Sequence, residues 1–349
     1  MPAQKNEMLP SCPACEANVP GQPVHQFTAR EATQHFVLAE EFPDAHRQLV
    51  AHIAKLWGAD SCSVLACQDC GLRFAWPFVA GDGAFYNLAY PYSDYPEERW
   101  EFDQTARALP AVLGAEGPVL EIGSGFGYFL RKIVPAQVPP ARVVAVEYND
   151  IARQRLQAQG FTAIGEDIRS AVFDHLAGQL AAVFIFQVLE HLDDLGGVLH
   201  RLNELLRPGA SVFIAVPNPE RIEFNERNGA LFDMPPNHIS RWTKPAFQAL
   251  AARAGWTLTD YRTEPLAWGD LVKQDFVYSH MRRSQVSGSL ANRARGRPRT
   301  RVRLALEAAV ALLAVPGRLP TWVRAARATA PLGDAVWAQF RVGPPAEGT

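Results

Sequence analysis

The feature that most constrains this chain is the stretch from Val119 to Gly127, which reads V-L-E-I-G-S-G-F-G. An apolar run that reaches an acidic residue and then alternating glycines predicts a buried β-strand, a tight turn and a helix. Glycine at such a turn lets the backbone approach a ligand closely, because no Cβ intervenes. The dinucleotide pattern G-x-G-x-x-G/A matches poorly, since its sixth position is the bulky Tyr128. The pattern E-x-G-x-G-x-G, with Glu121 two residues before Gly123, matches better and indicates another nucleotide-bearing cofactor.

Beyond this motif, strand-like and helix-like segments alternate. Helices are predicted over 151–159, 195–206 and 244–254. Strands alternating with helices predict an α/β fold in which helices cover both faces of a parallel sheet. The chain has 349 residues, of which 48% are hydrophobic, so it can build a sizeable core. The seven strands are expected at 119–122, 143–147, 161–164, 183–186, 212–216, 257–262 and 335–342.

Acidic side chains follow several of these strands, where an open α/β sheet binds its ligands. Glu147 ends the second strand, and a carboxylate there can accept hydrogen bonds from both hydroxyls of a ribose. Asp167 follows the third strand and is placed to accept a hydrogen bond from an exocyclic adenine amine. The structural alternative is that the glycines are ordinary turn residues and that the carboxylates are solvated or cap helices. Because these residues occur jointly, we favour the cofactor interpretation.

Three later segments follow the glycine motif in order: F-Q-V-L-E-H-L at 186–192, L-R-P-G-A-S-V-F-I-A-V-P-N at 206–218 and P-N-H-I-S-R-W-T at 236–243. Together they resemble the type 11, 12 and 23 families of class I S-adenosylmethionine (SAM) methyltransferases, with Ala210 where the family usually has a second glycine. The resemblance implies SAM as the cofactor and a Rossmann-like, mostly parallel seven-stranded sheet with helices on both faces. It also implies that Gln187, which follows the fourth strand, faces the methionine part of SAM. The family's cofactor contacts carry over to Glu121, Gly123, Gly125, Gly127, Glu147, Asp167 and Gln187.

Two histidines are candidate general bases, and a general base assists methyl transfer to a hydroxyl or an acidic carbon. His191 follows the fourth strand, and His238 lies in the loop that usually walls the acceptor pocket in this family. Each has a structural alternative. His191 would cap the next helix or brace the loop, and His238 would stack on Trp242. The aromatic segment 85–95 would either line the acceptor pocket or pack between domains.

All five cysteines lie in the first 70 residues, and four of them form two C-x-x-C pairs. Four thiolates in this pattern suit tetrahedral Zn²⁺ in a closed structural site. Helices predicted over 31–38 and 45–57 fill the long insertion between the pairs, and Cys62 is expected to be a buried apolar residue. A redox role is the weaker alternative, because neither pair begins a helix of a βαβ unit. The expected zinc ligands are Cys12, Cys15, Cys67 and Cys70.

The acceptor class follows from resemblance and composition. Bacterial methyltransferases that act on sugars and secondary metabolites carry a similar N-terminal four-cysteine module, which implies a small-molecule or glycan acceptor. We expect methylation on oxygen, with methylation on carbon or nitrogen as alternatives. A net charge of −2 gives no global attraction to nucleic acid. The N/D-P-P-Y/F signature of nucleic-acid amine methyltransferases is also absent, since Gln187 begins Q-V-L-E there. An RNA methyltransferase, or a non-catalytic SAM-binding scaffold, is the alternative.

An arginine-rich stretch and an apolar helix predicted over 304–315 leave a further alternative open. The region 282–315 could hold a phosphate-bearing acceptor, RNA or an anionic membrane surface, or it could be a solvated loop before a packed helix. The start of the chain lacks a basic region followed by an apolar run, so we expect a cytoplasmic bacterial protein. The expected domains are a zinc-binding module at 1–75, an aromatic lid or linker at 76–115, a SAM-binding core at 116–264, an arginine-rich helical insertion at 265–334, and a last strand with tail at 335–349.

Overall fold

The computed structural model describes residues 10–39, 41–89, 96–113, 116–134, 137–228, 230, 233–285, 289, 305, 309–310, 312–313, 315–328 and 331–343. The chain divides into two compact units. The larger unit takes the ranges Met1–Pro217, Met234–Arg262 and Ala335–Thr349, and the smaller takes Asn218–Asp233 and Thr263–Asp334. The domain boundaries expected from the sequence stay predictions.

The larger unit contains the predicted seven-stranded sheet, which confirms the fold class. The strands in chain order are β4 (Val119–Ile122), β5 (Val143–Val146), β6 (Thr162–Ile164), β7 (Leu180–Phe186), β8 (Leu206–Pro217), β10 (Trp256–Thr263) and β11 (Ala335–Val342). Their spatial order is β10-β11-β8-β7-β4-β5-β6. The pairs from β8 to β6 are parallel, and β11 runs antiparallel to β8. Strands β5 and β6 are added on one side of β4, and the chain then returns to add β7 and β8 on its other side. The strand order therefore reverses between β4 and β7, which makes this position the switch point of the sheet.

Helices cover both faces of this sheet. Alternate residues of β4 belong to two different buried clusters, since Val119 lies in one and Leu120 in the other. Helices α4 (Trp100–Val112), α5 (Tyr128–Ile133) and α6 (Asp150–Ala158) contribute to the cluster of Val119, and α7 (Leu195–Leu205) and α9 (Lys244–Ala254) to that of Leu120.

The ends of α9 coincide with the residues predicted for them, because both ends carry strong local signals. Thr243 caps the first turn by accepting a hydrogen bond from the backbone N–H of Ala246. Gly255 ends the helix in the left-handed region, at φ 70°.

The N-terminal part of the larger unit forms a second, four-stranded antiparallel sheet. Its order is β1-β2-β3-β9, formed by His25–Thr28, Ser61–Ala66, Arg73–Trp76 and Ser240–Arg241. Two helices lie between β1 and β2 along the chain, α1 (Ala29–Phe36) and α2 (Pro43–Trp57), and α3 (Gly83–Ala89) follows β3. The predicted helices at 31–38 and 45–57 are therefore present, each beginning two residues earlier than expected.

The described part of the smaller unit includes the helices α8 (Pro219–Arg227), α10 (Trp268–Gln285) and α11 (Val315–Ala326). A buried ion pair between Arg318 and Asp275 stabilises it, and Trp322 Nε1 donates to Asp275 Oδ2 at 2.9 Å. The arginines of 293–303 and half of the residues of the helix predicted over 304–315 lie outside the described residues. Within the described ranges, no helix has both the length and the apolar character needed to cross a membrane.

Candidate active site

The glycine turn after β4 depends on backbone conformations that favour glycine. Gly123 has a φ of 76°, and a Cβ added there would lie 2.4 Å from Cγ2 of Val188. The backbone N–H groups of Gly123 and Ser124 both donate to the carbonyl of Val146, at 2.9 and 3.1 Å. The turn is thus held against the neighbouring strand β5 and brought close to the segment after β7.

Glu147, at the end of β5, is tied to this turn. Its Oε2 accepts a hydrogen bond from the backbone N–H of Gly125 at 2.7 Å, and its Oε1 accepts one from Asn149 at 2.8 Å. The side chain is buried, so these charge-assisted bonds compensate for the loss of hydration. The carboxylate retains acceptor capacity for ribose hydroxyls, because each ionised oxygen has two lone pairs.

Glu121 lies at the base of the turn, in β4, and is 3% exposed. Within the described part of the chain, its Oε2 is buried and has no hydrogen-bond partner. Burial, with a smaller contribution from the charge of Glu147, raises the pKa of Glu121 well above its ordinary value. A buried oxygen of this kind fits a site completed by a polar ligand.

Asp167 follows β6 and is half-exposed, with its carboxylate held by two neighbours. Arg169 donates to both carboxylate oxygens, at 2.7 and 2.8 Å, and the Tyr148 hydroxyl donates to Oδ2 at 3.2 Å. Hydrogen bonding from Arg169 lowers the pKa of Asp167. Arg169 also reaches Asp194, with 2.5 Å between Nη1 and Oδ2. The sequence gives no signal for this clamp on Asp167.

Gln187 follows β7 in a conformation that is rare for a side-chain-bearing residue, with φ 56°. Its Nε2 donates to Oε1 of Glu101 at 3.0 Å, and its backbone N–H donates to Ala215. Glu101, in α4, is buried, and Arg99 lies 3.6 Å from its carboxylate. Sequence reasoning missed Glu101, because it lies 86 residues from Gln187 in a helix with no motif.

The predicted cofactor residues therefore gather at one edge of the sheet. Gln187 follows β7, the glycine turn follows β4, Glu147 follows β5 and Asp167 follows β6, and these four strands are consecutive neighbours. This edge includes the switch point between β4 and β7, where open α/β sheets bind nucleotides.

The two candidate bases lie in contact with one another. The rings of His191 and His238 are 4.8 Å apart, edge to face. Nδ1 of His191 lies 2.5 Å from the carbonyl oxygen of Asn237, so it carries the proton, since a carbonyl only accepts. Ligand-type atoms of Glu190, His191 and His238 all lie within 4.8 Å of one another. Asp194, rather than His191, caps α7, and the bond from His191 to the Asn237 carbonyl matches the alternative in which His191 braces the loop. His238 packs against His191, and the role of either residue as a base stays a prediction.

The aromatic segment 85–95 contributes to this site through Tyr86. Its hydroxyl lies 2.8 Å from Nδ1 of His191. Phe85 is buried and packs edge to face against Phe36, at 5.7 Å between ring centroids. One aromatic residue thus contacts a candidate base and its neighbour packs inward, while residues 90–95 lie outside the described ranges.

Lowering the pH should destabilise the fold through His191. Burial, with a contribution from His238, lowers the pKa of His191 to about 3 from an ordinary value of 6.5. Between these values the unfolded chain binds a proton at this residue and the folded chain does not, so stability falls as the pH falls. Urea unfolding between about pH 6 and pH 4 should show the wild type losing about 1.4 kcal/mol more per pH unit than His191→Gln. Parallel curves for the two proteins would contradict this.

The four predicted zinc ligands lie together. The Sγ atoms of Cys12 and Cys70 are 3.6 Å apart, those of Cys15 and Cys67 are 3.5 Å apart, and all four lie within 4.8 Å of one another. A tetrahedral zinc with Zn–S bonds of about 2.3 Å requires sulfur separations of about 3.8 Å. The residues after each pair are both left-handed, with φ 64° at Glu16 and 70° at Gly71.

Burial raises the pKa of the Cys12 thiol to about 11 in the absence of a cation. Ligation of Zn²⁺ by buried thiols releases protons, so metal affinity depends on pH. The donor set, the spacing and the burial all fit a structural zinc site.

Comparisons with known proteins agree with this geometry. Residues 95–261 match the type 23 family model described as a methyltransferase domain. No curated protein matches the chain. Among solved structures, a SAM-dependent methyltransferase from Archaeoglobus fulgidus is 14% identical over 74% of this chain and 100% of its own, with a TM-score of 0.42. The N-methyltransferase NodS from Bradyrhizobium japonicum WM9, in complex with S-adenosyl-L-homocysteine (SAH), is 15% identical over 73% and 91%, with a TM-score of 0.39.

The family match covers the glycine turn, Glu147, Asp167, Gln187 and both histidines. Residues 95–261 are thus similar to the type 23 methyltransferase domain, and the protein is a SAM-dependent methyltransferase.

Proposed function

We propose that this protein transfers the methyl group of SAM to a hydroxyl of a small-molecule or glycan acceptor. The contact between His191 and His238, beside the segment that follows β7, is the observation that carries this proposal. A hydroxyl acceptor must lose a proton as it is methylated, and a positioned imidazole is the usual group to take it.

His238 is the preferred base, and His191 is its positioning partner. Because the pKa of His191 is lowered to about 3, its imidazole is neutral at neutral pH and carries a single N–H. Its hydrogen bond to the Asn237 carbonyl fixes the ring with the proton on Nδ1. This fixed ring packs edge to face against the ring of His238, with 4.8 Å between the centroids, and so restricts the orientation of His238.

The residues at the sheet edge would each bind a different part of the cofactor. SAM supplies a methyl group activated by a sulfonium. Glu147 would accept the ribose hydroxyls, Asp167 would accept the adenine amine, and the glycine turn would let the backbone approach the ligand. Gln187, fixed by Glu101, would face the methionine part. Positioning of this kind supplies much of the rate of methyl transfer.

The acceptor class rests on chain-wide properties. The net charge of −2 does not favour nucleic acid, and the resemblance of the cysteine module to that of sugar and secondary-metabolite methyltransferases favours a small molecule or glycan. A cytoplasmic location, as expected from the sequence, is part of the same proposal. Contact with a membrane surface through 282–315 is not required by it.

Radiolabelled transfer tests the proposal. The purified chain is incubated with methyl-labelled SAM and a bacterial extract separated into small metabolites, glycans and RNA, and we expect label in the first two fractions. His238→Gln should slow transfer by about 100-fold or more, the usual contribution of a general base, with SAH affinity unchanged. His200→Gln is the matched control, because that side chain is 80% exposed. Label in RNA would overturn the acceptor class, and SAH binding without any transfer would favour a non-catalytic scaffold.

A further inference from the structure

The four-cysteine region is bonded to the loop that carries His238. Strand β3 pairs with β9, with Arg73 opposite Arg241 and Phe74 opposite Ser240. The pairing continues to Ile239, whose carbonyl accepts a hydrogen bond from the Ala75 N–H at 2.8 Å. The N–H of Ile239 donates in turn to the carbonyl of Glu190 at 2.9 Å. Ile239, directly after His238, therefore connects strand β3 to the segment that contains His191.

A second connection runs from the chain that follows β3. The Gly81 N–H donates to the carbonyl of Pro236 at 2.9 Å, and the Ala80 N–H donates to Oδ2 of Asp193 at 3.2 Å. Pro236 and Ile239, which flank His238, and Asp193, which follows His191, are thus bonded to residues 75–81. These residues form the end of β3 and the chain after it, beyond the second cysteine pair.

Helix α9, which begins directly after this loop, is held near each end by one of the cysteine pairs. The Thr243 hydroxyl donates to the carbonyl of Cys70 at 3.1 Å. Arg253, near the other end, donates from Nη1 to the carbonyl of Pro13 at 2.7 Å, and its Nη2 lies 2.9 Å from Oε1 of Glu16. A metal ion that joins the two pairs would therefore also fix the helix along its length.

Apolar packing follows the same route. The four cysteines belong to, or pack against, the buried cluster that contains Trp242, Phe247 and Leu250. The rings of Trp242 and Phe247 stack at 5.4 Å. One continuous apolar cluster thus joins the cysteine region to the segment after His238.

We propose that the four-cysteine module is a positioning element of the acceptor side of the active site, in addition to its structural role. It fixes residues 234–243 through Ile239, Pro236 and α9. The cofactor residues are held by other bonds. The carboxylate of Glu147 is bonded to the glycine turn and Asn149, Asp167 is bonded to Arg169, and Gln187 is bonded to β8 and α4. The inference rests on the proposed role of His238, and it predicts that metal loss damages acceptor alignment before it damages SAM binding. Misplacement of a catalytic group by about 1 Å can slow a reaction by about 100-fold.

Hydrogen–deuterium exchange on the full-length protein, with its metal and after treatment with a zinc chelator, tests this coupling. We expect exchange in 234–243 to increase by about tenfold or more after metal removal, while exchange in 119–127 stays unchanged. The SAH dissociation constant should stay within about threefold, because the cofactor edge keeps its bonds. Nitrogen-15 spectra of the histidines should also lose the Nδ1-protonated signal of His191.

A variant separates the coupling from global unfolding. Arg253→Met removes the bonds to Pro13 and Glu16 without touching a cysteine, so it should retain zinc and SAH binding while exchange in 234–254 increases. Arg47→Met, an exposed change within α2, is the matched control and should leave exchange in this range as in the wild type. Unchanged exchange in 234–243 after metal removal would overturn the inference, and so would a simultaneous loss of SAH binding. Failure of the metal-loaded wild type to bind SAH would instead refute the proposed function.

Discussion

Replacing Glu147 by glutamine should weaken SAH binding by about 100-fold or more. The carboxylate accepts backbone N–H bonds from Gly125 and Asn149, and it is the group expected to bind the ribose. A hydrogen bond to a charged group contributes about 1.5–3 kcal/mol, and about 2.7 kcal/mol corresponds to a hundredfold change in affinity. Glutamine keeps the shape of the side chain but has only one acceptor oxygen, so one of the backbone amides loses its partner.

Titration calorimetry with SAH measures this effect without knowledge of the acceptor. Glu204→Gln is the control, since this carboxylate lies on the surface of α7 in ion pairs with Arg201 and His200, where such pairs contribute little. Equal affinity of Glu147→Gln and the wild type would show that the end of β5 is not the ribose site.

Cys67→Ala should abolish zinc binding, whereas Cys62→Ala should retain the metal. Both side chains are buried, but only Cys67 belongs to the four-sulfur cluster, so the pair separates metal ligation from cavity formation. Structural zinc contributes free energy directly to folding. A loss of about 5 kcal/mol in a domain of this size lowers the Tm by about 10 °C.

Metal analysis and calorimetric melting check this prediction. Wild type and Cys62→Ala should each contain about one zinc per chain, and Cys67→Ala should contain much less. Similar metal content and similar Tm for the two variants would show that the cysteine cluster packs the core without binding zinc.

Local signals explain what could be predicted from the sequence. The strand before Gly123 and the cap residues of α9 act over a few residues, so the glycine turn and that helix were predictable. The gathering of Glu147, Asp167 and Gln187 was predictable too, because parallel strands bring their carboxyl ends to one edge.

Long-range pairings explain what was missed. The bond between Gln187 and Glu101, and the pairing of β9 with β3, join segments far apart in the chain. A two-residue strand such as Ser240–Arg241 has too few positions for an alternating pattern to be recognised. The sequence therefore predicts that 236–243 lies on the acceptor side, and no local signal indicates its pairing with the cysteine region.

The place of β11 in the sheet has a consequence for how the protein is made. This strand lies between β8 and β10, both of which precede it along the chain. As the ribosome synthesises the protein, β8 and β10 emerge first but are not neighbours in the finished sheet. The sheet can be completed only after residues 335–342 have left the ribosome. Until then β8 exposes an unpaired strand edge, which is the kind of surface that chaperones protect from aggregation during synthesis.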